Sequence, residues 1–448
     1  MNLEDLKLNK SKGSSNKTTI VGNQVRSLKD IERPNDFLVR MEGKDNTDFL
    51  LTEEQVSRGV LLIGSTGCGK TTTFYQILDQ LIPKLKNDDV MFIFDPKGDF
   101  KKKYFCKDNP DHILISADID DEDITYSWNI FGELVDKRNQ VGNYTDIMAA
   151  EISRALFKGL KSDNQPFFSI AATDIFAMVI SCLCKDAIIN RQYDELNNHA
   201  LINKLKKYKT KDYYGFIKNY PQYGYIVSYL GKEDAPNNQA LGVMGILNAM
   251  ISSQFIGPFC RSYPSGEFSI KKIMRERGKK IIFLQYDVGI GETLSPMYSL
   301  LLDMAIKESL SMGIGNTYFV CDEINLMPQS EALEQAVNFG RGRGLKTIVG
   351  LQCISQLYDN YGEEKAKSIA AGFLNAFCFN CVDYDSRKFI SERFGTTFEN
   401  YSFAGSNITR EGYTVDDSDI HNLGPGEAYI DLYKCRYPFK FSFKENKT

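Results

Sequence analysis

The chain has 448 residues, of which 42% are hydrophobic and 25% charged, and its formal charge is −4 at pH 7. That length allows two or three domains with a sizeable core, and that composition excludes a disordered or fibrous chain. A net negative charge excludes a globally basic nucleic-acid binder, so contact with DNA has to come from local lysine clusters.

The first 36 residues, rich in Lys, Asn, Ser and Thr and without apolar periodicity, read as a polar arm that is mobile or ordered by a partner. Strand patterns follow from Phe37 to Ile63. There the apolar run breaks into Gly64-Ser65-Thr66-Gly67-Cys68-Gly69-Lys70-Thr71, the spacing of the phosphate-cradling loop of a nucleoside triphosphatase. Glycines let the backbone approach the phosphates, and consecutive N–H groups, together with the helix start through Thr72, face the anion. Lys70 is expected to reach the β- and γ-phosphates, and Thr71 to supply a hydroxyl that holds Mg²⁺. Arg58 enters the same strand and is a further candidate to contact nucleotide or line a channel. A helix is predicted over residues 70–85.

A second continuous apolar strand is predicted at Val90–Phe94, ending in Asp95-Pro96-Lys97-Gly98-Asp99, and a third at His112–Ser116. Their ends point toward the ligand edge of a parallel sheet. From residue 141 to 264 long amphipathic patterns replace strands, as in Ile147–Leu160 and Phe167–Leu183, and this stretch reads as an inserted all-α domain. Strand signals return at Lys280–Val288, Asn316–Asp322, Lys346–Gln352 and Phe373–Val382, separated by helix-length segments. That alternation defines an α/β nucleotide-binding domain with a doubly wound, mainly parallel sheet, built from residues 37–140 and 265–448. The tail from Thr409 to Phe443 carries strand-like runs around Gly424-Pro425-Gly426, read as a hairpin that closes a sheet edge.

Two carboxylates end the strand Tyr318-Phe-Val-Cys-Asp322-Glu323. At the edge of a sheet that also carries a phosphate loop, Asp322 is the expected Mg²⁺ ligand and Glu323 the base that deprotonates the attacking water. Gln352, ending the next strand, could bond the γ-phosphate or the water. Before that strand, Gly340-Arg341-Gly342-Arg343-Gly344 offers a guanidinium for the charge of a leaving phosphate, with Arg341 expected to be donated to a neighbour's site. Two lysine clusters are candidates for sequence-independent DNA contact: Lys97 with Lys101–Lys103, and Lys204, Lys206, Lys207, Lys209 and Lys211 with Tyr208, Tyr213, Tyr214 and Tyr220. A charge run on a helix is more often a solvated face, and this reading competes with the first.

Ten cysteines lie scattered without paired zinc-ribbon spacings, and no signal peptide is readable, which points to a reducing cytosol. Cys378 and Cys381 fall in one strand-like run and read as core. Three histidines leave little material for histidine-based metal or triad chemistry. The longest apolar stretch, Ser169–Ile189, is interrupted by Asp174 and Lys185, so no segment reads as a membrane span.

Gly64-Ser-Thr-Gly-Cys-Gly-Lys-Thr71, Phe94-Asp-Pro-Lys-Gly-Asp-Phe100, Trp128-Asn-Ile-Phe-Gly-Glu133, Asp322-Glu323 and Gly340-Arg-Gly-Arg-Gly-Leu345 form an ordered series. With Gly350-Leu-Gln-Cys-Ile-Ser-Gln-Leu-Tyr-Asp-Asn-Tyr-Gly362, it resembles the type IV coupling proteins, the TraD/TraG group in the FtsK/HerA branch of RecA-like motor ATPases. The resemblance spans roughly residues 37–443 and implies a RecA-like domain with an all-α insertion. It implies a ring-forming, hexameric, DNA-dependent ATPase that uses ATP and Mg²⁺ to drive DNA toward a secretion apparatus. Relaxase and membrane-anchored secretion subunits would be its partners. Family roles would fall on Lys70 and Thr71 for nucleotide and metal, Asp322 and Glu323 for metal and hydrolysis, Arg341 as finger and Gln352 as sensor. Members usually begin with two membrane-spanning helices. Their absence here implies a soluble variant docked from the cytoplasm onto a membrane subunit, a soluble fragment, or a relative put to other use. A HerA-like ATPase working with a nuclease and a nucleotide-switched recruiting scaffold are the competing functions.

Overall fold

A computed structural model describes residues 16–444 apart from 119, 137, 161–165, 234–237, 288, 290, 404 and 405. The strands, in chain order, are β1 (Asn16–Gly22), β2 (Val39–Glu42), β3 (Asp48–Leu51), β4 (Val60–Ile63), β5 (Val90–Asp95), β6 (His112–Ser116), β7 (Ser127–Trp128) and β8 (Glu267–Phe268). They continue with β9 (Lys280–Gln285), β10 (Thr317–Cys321), β11 (Leu345–Leu351), β12 (Asn375–Phe379), β13 (Thr396–Phe403), β14 (Ser406–Tyr413), β15 (Glu427–Asp431) and β16 (Phe439–Ser442). Nine of them form the central sheet in the order β16-β15-β12-β4-β11-β10-β5-β9-β6. From β12 to β6 every pairing is parallel, while β15 and β16 join antiparallel at one edge.

The parallel strands are apolar on both faces because both faces are covered. Val60 and Leu62 of β4 face a core shared with Phe74, Ile77, Leu78 and Leu81 of the helix Lys70–Leu81 and with the β2–β3 hairpin. Leu61 and Ile63 point the other way, into a core shared with the helices Asn143–Leu156, Pro166–Asn190, Asn238–Gln254 and Gly291–Met312. Period-two alternation thus assigns neighbouring residues of one strand to two different cores. Phe49 of the hairpin meets Phe377, Phe439, Phe441 and Phe443 edge to face, which holds the antiparallel edge onto the sheet.

Helices dominate between β6 and β9, two strands that pair directly. The ends of this excursion are tied by the short parallel pair β7–β8. Glu133, fully buried, secures the same junction: its carboxylate accepts from Trp128 Nε1 at 2.9 Å and from the backbone N–H groups of Ile270 at 2.5 Å and Lys271 at 3.1 Å. Burial raises its pKa to about 7, against the pull of those donors and of the Lys271 ammonium. Pro166–Asn190 is, among the described residues, a helix long and apolar enough to cross a membrane, contrary to the expectation that its charges disqualify it. It is instead apolar all round because it sits inside the protein, with 72% of its most apolar window buried. Lys185 pairs with Asp146 at 2.5 Å and Asp174 accepts from Tyr229 at 3.2 Å.

Two expectations need correcting. The polar arm is not structureless from residue 16 on: β1 pairs antiparallel with β13, which continues into β14, a three-stranded sheet with no strong periodicity to announce it. Residues 1–15 of the arm, like Val288 of the strand expected at 280–288, lie outside the described residues. The edge hairpin turns at residues 432–438, whereas Gly424-Pro425-Gly426 leads into β15 and closes onto the phosphate loop, Gly426 N–H donating to Cys68 O at 2.9 Å.

Replacing Glu133 with Ala strands three buried donors and removes the carboxylate charge that favours the Lys271 ammonium, whose bond to the main-chain carbonyl of residue 133 remains. Glu133→Ala should therefore destabilise the protein by about 3–5 kcal/mol, and Glu133→Gln by clearly less, as read from urea unfolding.

Candidate nucleotide site

The loop after β4 is held open by its neighbours. Gly64 N–H donates to Leu351 O at 3.0 Å and Ser65 N–H to Asn380 O at 2.8 Å, so the ends of β11 and β12 flank the loop. Gly69 caps the helix Lys70–Leu81 with φ of 112°, a conformation that favours glycine, and a Cβ there would meet the Gly426 backbone at 3.2 Å. The N–H groups of Lys70, Thr71 and Thr72 form the first turn of that helix and have no partner within it. Lys70 is buried and its ammonium turns back on the carbonyls of Gly64 and, at 3.2 Å, Ser65.

β10 lies two strands from β4, with β11 between them, so its carboxylates reach the same edge. Thr71 Oγ1 stands 3.4 Å from Asp322 Oδ2, and Asp322 Oδ1 is buried without a hydrogen-bond partner. Burial raises the pKa of Asp322, opposed by Lys97 and Lys70, and burial likewise raises that of Glu323, opposed by the same two lysines. Gln352 connects the parts: its backbone N–H helps to hold down the pKa of Glu323, and its Nε2 donates to Thr66 Oγ1 at 2.9 Å. A hydroxyl and a carboxylate facing each other, one oxygen unsatisfied, form a hard-oxygen pair suited to Mg²⁺. Among the described residues no cluster of three or more His, Cys, Asp or Glu could hold a metal, so Thr71 and Asp322 would leave the remaining positions to phosphate and water.

The structure therefore brings together residues 64–72, Asp322, Glu323 and Gln352. It does not bring Arg58 or Arg341 to them. Both precede their strands, at the opposite edge, and the seven residues of β11 alone span about 20 Å. Contact between Arg58 and nucleotide within one chain is excluded: its guanidinium stacks on Tyr433 at 4.3 Å and donates to the Tyr433 hydroxyl at 2.9 Å. Arg341 pairs with Glu54 at 3.3 Å, both half exposed.

The first lysine cluster is largely engaged by carboxylates of its own chain, whereas in the second Lys206, Lys207, Lys209 and Lys211 are exposed and, among the described residues, form no ion pair. Lys97 lies 3.7 Å from Asp322 and so belongs to the nucleotide site, a role its place one strand from β10 could have signalled. Lys101 pairs with Asp121 and Asp123, and Lys103 with Asp79. In the second cluster Lys204 pairs with Glu195, and the tyrosines pack inward rather than offer rings to bases: Tyr213 is buried, Tyr208 meets Tyr213 edge to face, and Tyr220 donates to Asp186.

A phosphate-loop strand and an acid-ended strand with one strand between them, under helices on both faces, define a RecA-like α/β nucleotide-binding protein. The chain belongs to the family of the type IV secretion-system coupling protein DNA-binding domain, whose family model matches residues 50–419. It is 22% identical over 431 residues to coupling protein TraD of Escherichia coli strain K12. That match covers 90% of this chain but only 55% of TraD, so the chain spans little more than half the length of this relative. The bacterial conjugative coupling protein TrwBdeltaN70, in its unbound monoclinic form, superposes with a TM-score of 0.72 at 18% identity over 96% of this chain and 95% of that one. The plasmid coupling protein TrwB in complex with ADP and Mg²⁺ gives 0.70 at 18%, over 98% and 97%. VirB4 of Thermoanaerobacter pseudethanolicus gives 0.53 at 12%, over 93% and 98%. At such identities the likeness is one of fold.

Proposed function

We propose that the chain is an ATP-hydrolysing motor that moves DNA toward a secretion apparatus, working at the inner face of the membrane as a ring of six copies. The observation that supports this most directly is the approach of Thr71 to the half-satisfied Asp322, beside Lys70 and Glu323. The family and the nucleotide complexes of TrwB, with ADP and Mg²⁺ and with a non-hydrolysable GTP analogue, agree with it. Residues 141–264 would serve as an inserted all-α domain over the sheet. Relaxase and membrane-anchored secretion subunits would be the partners.

ATP entering the loop replaces the Gly64 and Ser65 carbonyls as partners of the Lys70 ammonium, and the free N–H groups through Thr72 meet the phosphates. Thr71 and Asp322 would hold Mg²⁺, which supplies charge neutralisation for the terminal phosphates. Glu323, its basicity raised by burial, takes the proton of the attacking water. Gln352, bonded to Thr66 and beside Glu323, senses whether the γ-phosphate is present. Arg341, remote from its own site, would be delivered to the site of the next subunit, where its guanidinium offsets the charge of the leaving phosphate.

Lys70→Ala should weaken ATP binding by about tenfold or more, as measured by titration with a fluorescent analogue. Glu323→Gln should keep ATP affinity and lose about 10²–10⁴-fold in turnover, and retained turnover would remove the base assignment. Arg341→Ala should lower turnover about 10³-fold in the assembly without changing the affinity of a single chain for ATP. DNA should stimulate hydrolysis; a rate indifferent to DNA would point to the recruiting scaffold.

A further inference from the structure

Three large apolar side chains stand exposed where parallel strands of the central sheet begin: Ile314 ahead of β10, Phe339 ahead of β11 and Leu374 directly ahead of β12. Phe339 is 71% exposed, far beyond what a core aromatic shows, and it ends the helix Leu333–Phe339 two residues before Arg341. The exposed Arg341 and Arg343 lie on this same edge, with Glu54 shared between Arg341 and Lys434, so its accessible charge is predominantly cationic.

The opposite edge has the complementary make-up. Val382 and Tyr384, just after β12, are 69% and 63% exposed. Val382 also walls the phosphate loop, its N–H donating to Ser65 Oγ at 3.0 Å. Around them the surface is acidic, with the accessible Asp383 and Asp385 flanking Tyr384, while Asp322 and Glu323 lie buried behind it. The two surfaces match in polarity and in charge, yet they lie at opposite ends of the same strands and cannot meet within one molecule. Matching surfaces at opposite ends of a molecule make head-to-tail contacts between copies, and such contacts close into a ring where the rotation between copies allows it.

Building on the proposed function, we infer that Phe339 is the anchor of this contact, seating against Val382 and Tyr384 of a second copy of this chain and so carrying Arg341 to that copy's phosphate loop. Aromatic anchors with arginine beside them are the groups that dominate protein interfaces. Seating it requires Arg341 to leave Glu54, and a half-exposed pair gives way at little cost. Phe339 is then a positioning residue for hydrolysis in the neighbouring subunit.

The test uses the full chain with the non-hydrolysable ATP analogue. A photo-crosslinking phenylalanine derivative at position 339 should join to the peptide containing Val382–Tyr384 of another copy. Phe339→Glu should weaken self-association by about 30-fold, measured by sedimentation, while the ATP affinity of each chain stays unchanged. Tyr384→Ala should weaken it too, and adding it to Phe339→Glu should cost less than the sum of the two effects. Crosslinks to any other segment, unaltered association of the variants, or a wild-type chain that binds the analogue and stays monomeric would each overturn the inference while leaving the nucleotide site standing. A wild-type chain that assembles through Phe339 but neither binds nor hydrolyses ATP would overturn the proposed function instead.

Discussion

Everything at the nucleotide edge depends on the register of three parallel strands. β11 pairs Leu351 with Ile63 of β4 on one side and Val349 with Cys321 of β10 on the other, so the phosphate loop and the acids leave the sheet two residues apart along β11. A slip of one residue would move Asp322 by about 3.3 Å and turn it to the other face. Gly350 secures this fit, because a Cβ there would lie 1.9 Å from the Asp322 carbonyl oxygen. The strand between loop and acids therefore has to narrow to a bare backbone at the point where the two halves of the site converge.

Such an edge is costly to an isolated chain. Burial pushes Asp322, Glu323 and Asp95 toward their neutral forms, and the lysines that oppose this are few. Lys70 spends its donors on loop carbonyls, and Lys97 approaches Asp322 from a half-exposed position. A divalent cation and a triphosphate satisfy together what neither lysine satisfies alone: the orphaned Asp322 oxygen and the unpaired N–H groups of the helix start. The same burial that costs stability makes Glu323 basic enough to take a proton, so cost and function rest on one physical cause.

The parallel strands were legible in the sequence because strands covered on both faces are written as unbroken apolar runs between turn residues, as in Val90–Phe94 and Tyr318–Cys321. The phosphate loop was legible because its spacing is dictated by phosphate geometry rather than by the surrounding fold. What escaped was decided by contacts distant in sequence. Lys97 looks like the first of four similar lysines, and only the adjacency of β5 and β10 distinguishes it from Lys101 and Lys103, which answer local carboxylates. The tyrosines at 208–220 carry the composition of a stacking surface, but they pack against the helical core. The strand at 16–22 has no apolar alternation of its own and exists by pairing with a segment nearly 400 residues away.

Arg58 and Arg341 were drawn to the nucleotide by their chemistry, and the fold sends both to the far edge. Arg58 is retained there by Tyr433, through a ring contact and a hydrogen bond to the same side chain, so it is part of the structure of that edge. Among the described residues Arg341 pairs with Glu54 alone, which it shares with Lys434 at 2.9 Å. Removing Arg341 from Glu54 leaves that carboxylate still paired, so the arginine can depart without stranding a charge. Of the two cations, then, the one beside an exposed aromatic ring is also the one that its own chain holds least, as a group destined for another subunit requires.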